Sequence, residues 1–204
     1  MGAFPPVTQC FRDLREAIIN WCEGRFWPGR ALLLVWFAYI GLHHLIDPEY
    51  FSLFGGLNLA IHEGGHKLFQ WSGDYFLTVA GGTILQLAAP VMSAIMFIRQ
   101  PDYFAVGVCG VWLGTNLYGV ARYVGDAREM ILPLVTVGHG DCEYPCHDWH
   151  YMLENIGSGE LLFWDTTIAK WLRIAGFLWI WGSIVGGVWM LWLMAQSKKF
   201  IEDN

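Results

Sequence analysis

Three apolar runs set the terms on which this chain can fold. Tyr75 to Ile98, Tyr103 to Val124 and Trp171 to Met194 are each long enough to cross a bilayer as a helix, for which about 20 residues are needed. A fourth run, Ala31 to Ile46, is shorter, but Phe26 and Trp27 can extend it into the interface, and Pro28-Gly29-Arg30 punctuates its start. A fifth, Tyr50 to Trp71, ends at Ser72-Gly73-Asp74 and reads either as a full crossing or as a re-entrant helix. These runs predict an all-α polytopic membrane protein with four or five membrane-embedded helices. An N-terminal interfacial helix and a polar loop region between the last two spans complete the expected architecture.

Composition points the same way. Only 15% of residues are charged, against roughly 25% in soluble domains. Twelve tryptophans suit a protein with extensive membrane–water interface. The lipid bilayer is therefore the first expected partner. A net charge of −6 without any basic run excludes a nucleic-acid partner. One integral membrane domain over 1–204 is expected: an interfacial segment (1–26), membrane helices (27–124), a polar loop (125–170) and a last span (171–195). Arg12, Asp13, Arg15 and Glu16 interrupt any apolar core in the first 24 residues, so an amphipathic surface segment is expected there rather than a cleavable signal. Arg12, Arg15, Arg25 and Arg30 favour a cytoplasmic N-terminus, and Lys198-Lys199 a cytoplasmic C-terminus. Four crossings plus a re-entrant helix satisfy both; five crossings do not.

Inside the fifth run lies His62-Glu63-Gly64-Gly65-His66, an H-E-x-x-H motif. On a helix, residues four apart share a face, so two imidazoles can hold one Zn²⁺ or another divalent transition metal, with Glu63 beside them as general base. Titratable groups in an apolar segment are expensive, which makes them a candidate functional site. Gly64 and Gly65 each cost a helix about 1 kcal/mol relative to Ala, but allow close backbone approach.

A catalytic zinc site needs a third protein ligand and an open position. Two sources are available. Asp126 ends the run that closes in Arg122-Tyr123-Val124-Gly125-Asp126. The polar loop carries His147-Asp148-Trp149-His150, where His147 and His150 lie one helical turn apart and Asp148 can ligate or orient a ligand. His139 and Asp141 are weaker candidates. Cys142 and Cys146 form a C-x₃-C pair that reads as a disulfide or as thiolate ligands, depending on compartment. Gln86 and Asn116 sit inside apolar runs. Gln86 reads as a helix–helix hydrogen-bonding group, Asn116 equally as that or as a donor to substrate or oxyanion.

A membrane-embedded H-E-x-x-H helix followed by two spans, with an Asn and an Asp towards the end of the later one, resembles the site-2-protease class of intramembrane zinc metalloproteases. The likeness covers roughly Asn58 to Asp126. It implies His62, His66 and Asp126 as zinc ligands, Glu63 as the residue that activates water, and Asn116 as a substrate-positioning group. The family's aspartate lies in an Asn-x-x-Pro-x-Pro-x-Leu-Asp-Gly-like setting. Here Asn116 to Asp126 contains no proline, and Ala127 replaces the glycine. The His147 to His150 cluster has no counterpart in that pattern.

Two functions follow as expectations. One is a membrane-embedded zinc-dependent hydrolase, metallopeptidase-like, acting on a membrane protein or peptide. The other is a non-catalytic metal-binding subunit of a larger membrane complex, for which small size and Trp-rich packing surface speak. A metal transporter is a third, against which stands a strong ligand motif in only one apolar segment.

Overall fold

The computed structural model describes residues 7–47, 49–133 and 147–202. Among them are seven α-helices and no strand: α1 (Val7–Cys22), α2 (Pro28–Ile46), α3 (Phe54–Phe69), α4 (Tyr75–Arg99), α5 (Tyr103–Gly125), α6 (Asp148–Asn155) and α7 (Asp165–Glu202). Four of these, α2, α4, α5 and α7, are long and apolar enough to cross a membrane. The protein is thus an all-α, multi-pass membrane protein.

Local sequence explains where the helices start. Pro28 occupies the first turn of α2, where its missing N–H costs no hydrogen bond. Asp74 caps α4 by accepting from the Leu77 N–H at 3.0 Å, and Asp102 caps α5 by accepting from the Ala105 N–H at 3.1 Å. The α5 helix is the most enclosed of the four, and packs most extensively on α7. Val111, Tyr118, Ile180 and Ile184 meet Leu34, Phe37 and Ile40 of α2 there. The outward faces of the other long helices carry exposed Leu32, Val35, Met92, Leu178 and Val185, as lipid-facing surfaces do.

The connections fix which helix ends lie together. The Gly24 N–H donates to Ser197 Oγ at 3.2 Å, so the start of α2 adjoins the end of α7, and α1 packs alongside α7. At the opposite end, Glu49 pairs with Arg122 of α5, and Asp165 of α7 pairs with Arg128 just beyond α5. Four alternating crossings result.

The fifth apolar run does something different. After α2 the chain folds back along the helix it has just left. Tyr50 stacks on His43 with ring centroids 4.9 Å apart, and Phe54 lies 5.6 Å from Trp36, half-way down α2. The α3 helix starts at that depth and returns towards the beginning of α4. Its 16 residues make it about 24 Å long, short of a hydrocarbon core of about 30 Å. This is the re-entrant arrangement. Asn58 in its first half accepts the Trp112 indole N–H at 2.7 Å, which anchors it to the middle of α5.

Two boundaries differ from the sequence reading. The region 125–170 is not all loop. It contains α6, the 3₁₀ segment Gly157–Trp164 and the first turn of α7, which begins at Asp165 rather than Trp171. The reason is polar anchoring: Asp165 is buried and accepts from the Arg128 guanidinium at 2.7 Å and from the Thr166 N–H at 2.6 Å. An apolar-run criterion cannot see a helix turn built on a buried carboxylate. His139, Asp141, Cys142 and Cys146 lie outside the described residues.

Candidate metal centre

The motif residues are carried on α3 against the first half of α4. That packing depends on two glycines facing each other. A Cβ on Gly65 would land on the carbonyl of Gly81, so α3 can approach α4 only with glycine at 65. A Cβ on Gly82 would lie 2.6 Å from His66 Nε2 and 2.7 Å from His62 Nε2. The missing side chain at 82 is the space into which both imidazoles point.

Each imidazole is held from behind. His66 Nδ1 lies 2.9 Å from the Thr78 carbonyl oxygen, and His62 Nδ1 lies 3.0 Å from Gln86 Oε1. Both partners accept, so each ring donates from Nδ1 and can present an Nε2 lone pair once that nitrogen carries no proton. This is the outer-shell support typical of metal-binding histidines. The Nε2 atoms converge on one carboxylate oxygen, Asp148 Oδ2, at 2.9 Å from His62 and 3.2 Å from His66. Glu63 offers a carboxylate oxygen within 4.8 Å of the two histidine nitrogens.

This donor set fits a metal ion. Two Nε2 lone pairs and a carboxylate oxygen all accept, and acceptors do not sit this close without a cation or an additional proton between them. Ligands placed tetrahedrally at 2.0–2.1 Å from zinc lie roughly 3.3 Å apart, near the observed 2.9 and 3.2 Å. Burial pushes the Asp148 carboxyl up, but its close contacts with His62 and His66 outweigh it and hold the group below the ordinary carboxylate range. Asp148 is therefore an anion at neutral pH.

The structure brings Asp148 to the motif and leaves Asp126 apart from it. Asp126 accepts the N–H groups of Ile131 and Leu132, each at 3.0 Å, and lies 3.4 Å from His147 Nε2. That last distance suits an ion pair but lacks hydrogen-bond alignment. Asp126 thus closes the turn that follows α5, and both its oxygens are engaged there.

The His147 to His150 cluster splits by direction. His147 is buried and caps α6, its Nδ1 accepting from the His150 N–H at 3.2 Å. Burial lowers its pKa, against the opposing pull of Asp126, which suits an imidazole that must accept. His150 places Nδ1 at 2.7 Å from the Ala127 carbonyl and Nε2 at 3.6 Å from Glu154. Both histidines fasten α6 onto the turn after α5, and this aims Asp148 at α3. Asn116 is fully buried, donates to the Trp112 carbonyl of its own helix at 3.2 Å and leaves Oδ1 without a partner.

Four contributors were not legible as site residues. Gln86 makes the helix–helix hydrogen bond read from the sequence, from α4 to His62 of α3, and in doing so orients a candidate ligand; a polar side chain one turn beyond Gly82 in a costly apolar setting was its signal. Tyr123 accepts the Asp148 N–H at 3.0 Å, and its ring lies 6.1 Å from that of His62. Gly82 was visible only as one of a glycine pair. The Thr78 carbonyl left no trace in the sequence at all.

Searches against protein-family models, curated proteins and solved structures each find no match to this chain.

Proposed function

We propose that this protein is a membrane-embedded zinc-dependent hydrolase of the metallopeptidase type, related in chemistry to the site-2-protease class. The observation that carries the reading is the convergence of His62 Nε2, His66 Nε2 and Asp148 Oδ2, with Glu63 on the adjoining helical position. His62, His66 and Asp148 would hold the ion, three protein ligands being the catalytic rather than the structural number. Zn²⁺ supplies Lewis-acid polarisation of a carbonyl and makes water acidic enough to lose a proton near neutral pH. Glu63, only partly buried, would take a proton from the attacking water as its oxygen bonds to the scissile carbonyl carbon, and would return it to the nitrogen as the C–N bond breaks. Gln86 and the Thr78 carbonyl keep both rings in the ligating tautomer, and Tyr123 steadies Asp148. Arg12, Arg15, Arg25 and Arg30, close to the N-terminus, favour the end of the bundle that carries the chain termini as cytoplasmic.

The test uses the purified protein with zinc and a panel of single-span membrane peptides. Wild type is expected to hydrolyse at least one of them, and Glu63→Gln to retain zinc while losing turnover. Undiminished turnover in Glu63→Gln, or none in wild type, refutes the assignment.

A further inference from the structure

A cavity of about 750 Å³ opens at the same end of the bundle as the motif, between the last turn of α5, the first turns of α7 and the chain after Asp126. Three cations line it. Lys170 and Arg173 stand one helical turn apart on α7, and among the described residues neither has an ion-pair or hydrogen-bond partner. Arg122 faces them from α5. Its Nη2 is engaged by Glu49, but its Nε is buried without an acceptor. The cavity's acids offer these cations little. Glu49 is taken by Arg122, Asp126 is engaged by backbone N–H groups, and Glu129 is exposed on the rim.

Apart from Thr166 the remaining wall is apolar, with Leu132, Pro133, Ala169 and Ile174. On α7 it runs directly into the outward face formed by Ile174, Phe177 and Leu178, all exposed. A cationic cleft at the end of two spans, continuous with a lipid-facing stripe, matches an amphiphile with an anionic head and an acyl tail. We propose that this cleft binds the phosphate headgroup of an anionic phospholipid, with Lys170 and Arg173 as the phosphate contacts and the acyl chain along Ile174 to Leu178. Basic pockets between helices at a membrane surface are suited to anionic headgroups, and Arg adds directional donors to phosphate. The proposal stands independently of the metal centre.

Native mass spectrometry of the full-length protein, released from mixed micelles of phosphatidylglycerol and phosphatidylcholine, tests it. Wild type should retain phosphatidylglycerol about tenfold over phosphatidylcholine. Lys170→Gln/Arg173→Gln should abolish the preference, the charge-conserving Lys170→Arg/Arg173→Lys should restore it, and Arg99→Gln at the other end of the bundle should leave it intact. Lys170→Gln alone, at an exposed position, should weaken it without disturbing the fold. Equal retention of the two lipids by wild type, or an unchanged preference in Lys170→Gln and the double glutamine variant, overturns the proposal. Displacement of the lipid by millimolar inorganic phosphate overturns the lipid assignment in favour of free phosphate.

Discussion

Substituting Gly82 by alanine isolates the geometry of the site from the identity of its ligands. The added Cβ would sit 2.6 Å from His66 Nε2 and 2.7 Å from His62 Nε2, and ordinary van der Waals contact begins at 3.4 Å. Both nitrogens must therefore retreat by about 0.7–0.8 Å, whereas ligand distances in metal sites hold within about ±0.2 Å. The rings cannot simply pivot away, because Gln86 and the Thr78 carbonyl hold their other nitrogens. Loosening one outer-shell contact typically weakens metal binding by about 10–100-fold, so displacing two ligands at once should cost on the order of 100-fold or more. Stability should move little. Overpacking costs about 1–3 kcal/mol, and alanine returns about 1 kcal/mol of helix propensity in α4. Zinc affinity by chelator competition, with a thermal melt of the same sample, reads both quantities. Gly64→Ala is the matched control, since a Cβ there meets nothing within 4 Å; it should leave zinc binding unchanged. A Gly82→Ala protein that binds zinc within threefold of wild type would refute the reasoning.

Other expectations follow from the same contacts. Gln86→Leu removes the acceptor behind His62 and should weaken zinc binding by about 10–100-fold without removing a ligand, as chelator competition would show. Asp126→Ala strips the Ile131 and Leu132 N–H groups of their acceptor, and should cost about 1–3 kcal/mol in denaturant unfolding. Chelating the metal should lower thermal stability, by about 4 kcal/mol where zinc had been present at about a thousand times its dissociation constant; an unmoved melt would argue against a bound ion. In a variant keeping Cys10 as its sole cysteine, an impermeant maleimide should label inverted membrane vesicles and spare intact cells; labelling of intact cells would reverse the proposed orientation.

The helical spans were legible because bilayer thickness imposes a run length that composition alone reveals. The descent of Tyr50 to Phe54 along α2 was legible only through the charges at the two termini, because a re-entrant apolar segment and a spanning one have the same hydropathy; the rings packed on His43 and Trp36 carry it. Two members of the candidate metal centre were readable from their four-residue spacing on one helix. The third lies 86 residues beyond His62 and depends on how the chain after α5 folds. There Asp126, the sequence's other candidate, is captured by two backbone N–H groups, while His147 and His150 pin α6 so that Asp148 reaches α3. No pattern at the level of residue type separates a carboxylate that closes a turn from one that completes a site. The outer supports divide in the same way: Gln86 was conspicuous as a polar group in an apolar span, and a backbone carbonyl such as that of Thr78 cannot be conspicuous at all.

Asp148 is the carboxylate that joins His62 and His66 in the proposed centre. Zinc stoichiometry, measured side by side on purified wild type and Asp148→Ala, tests it most directly. One zinc per chain in wild type, falling to a small fraction of that in Asp148→Ala, is the predicted result. A full equivalent of zinc retained by Asp148→Ala with wild-type affinity would contradict it.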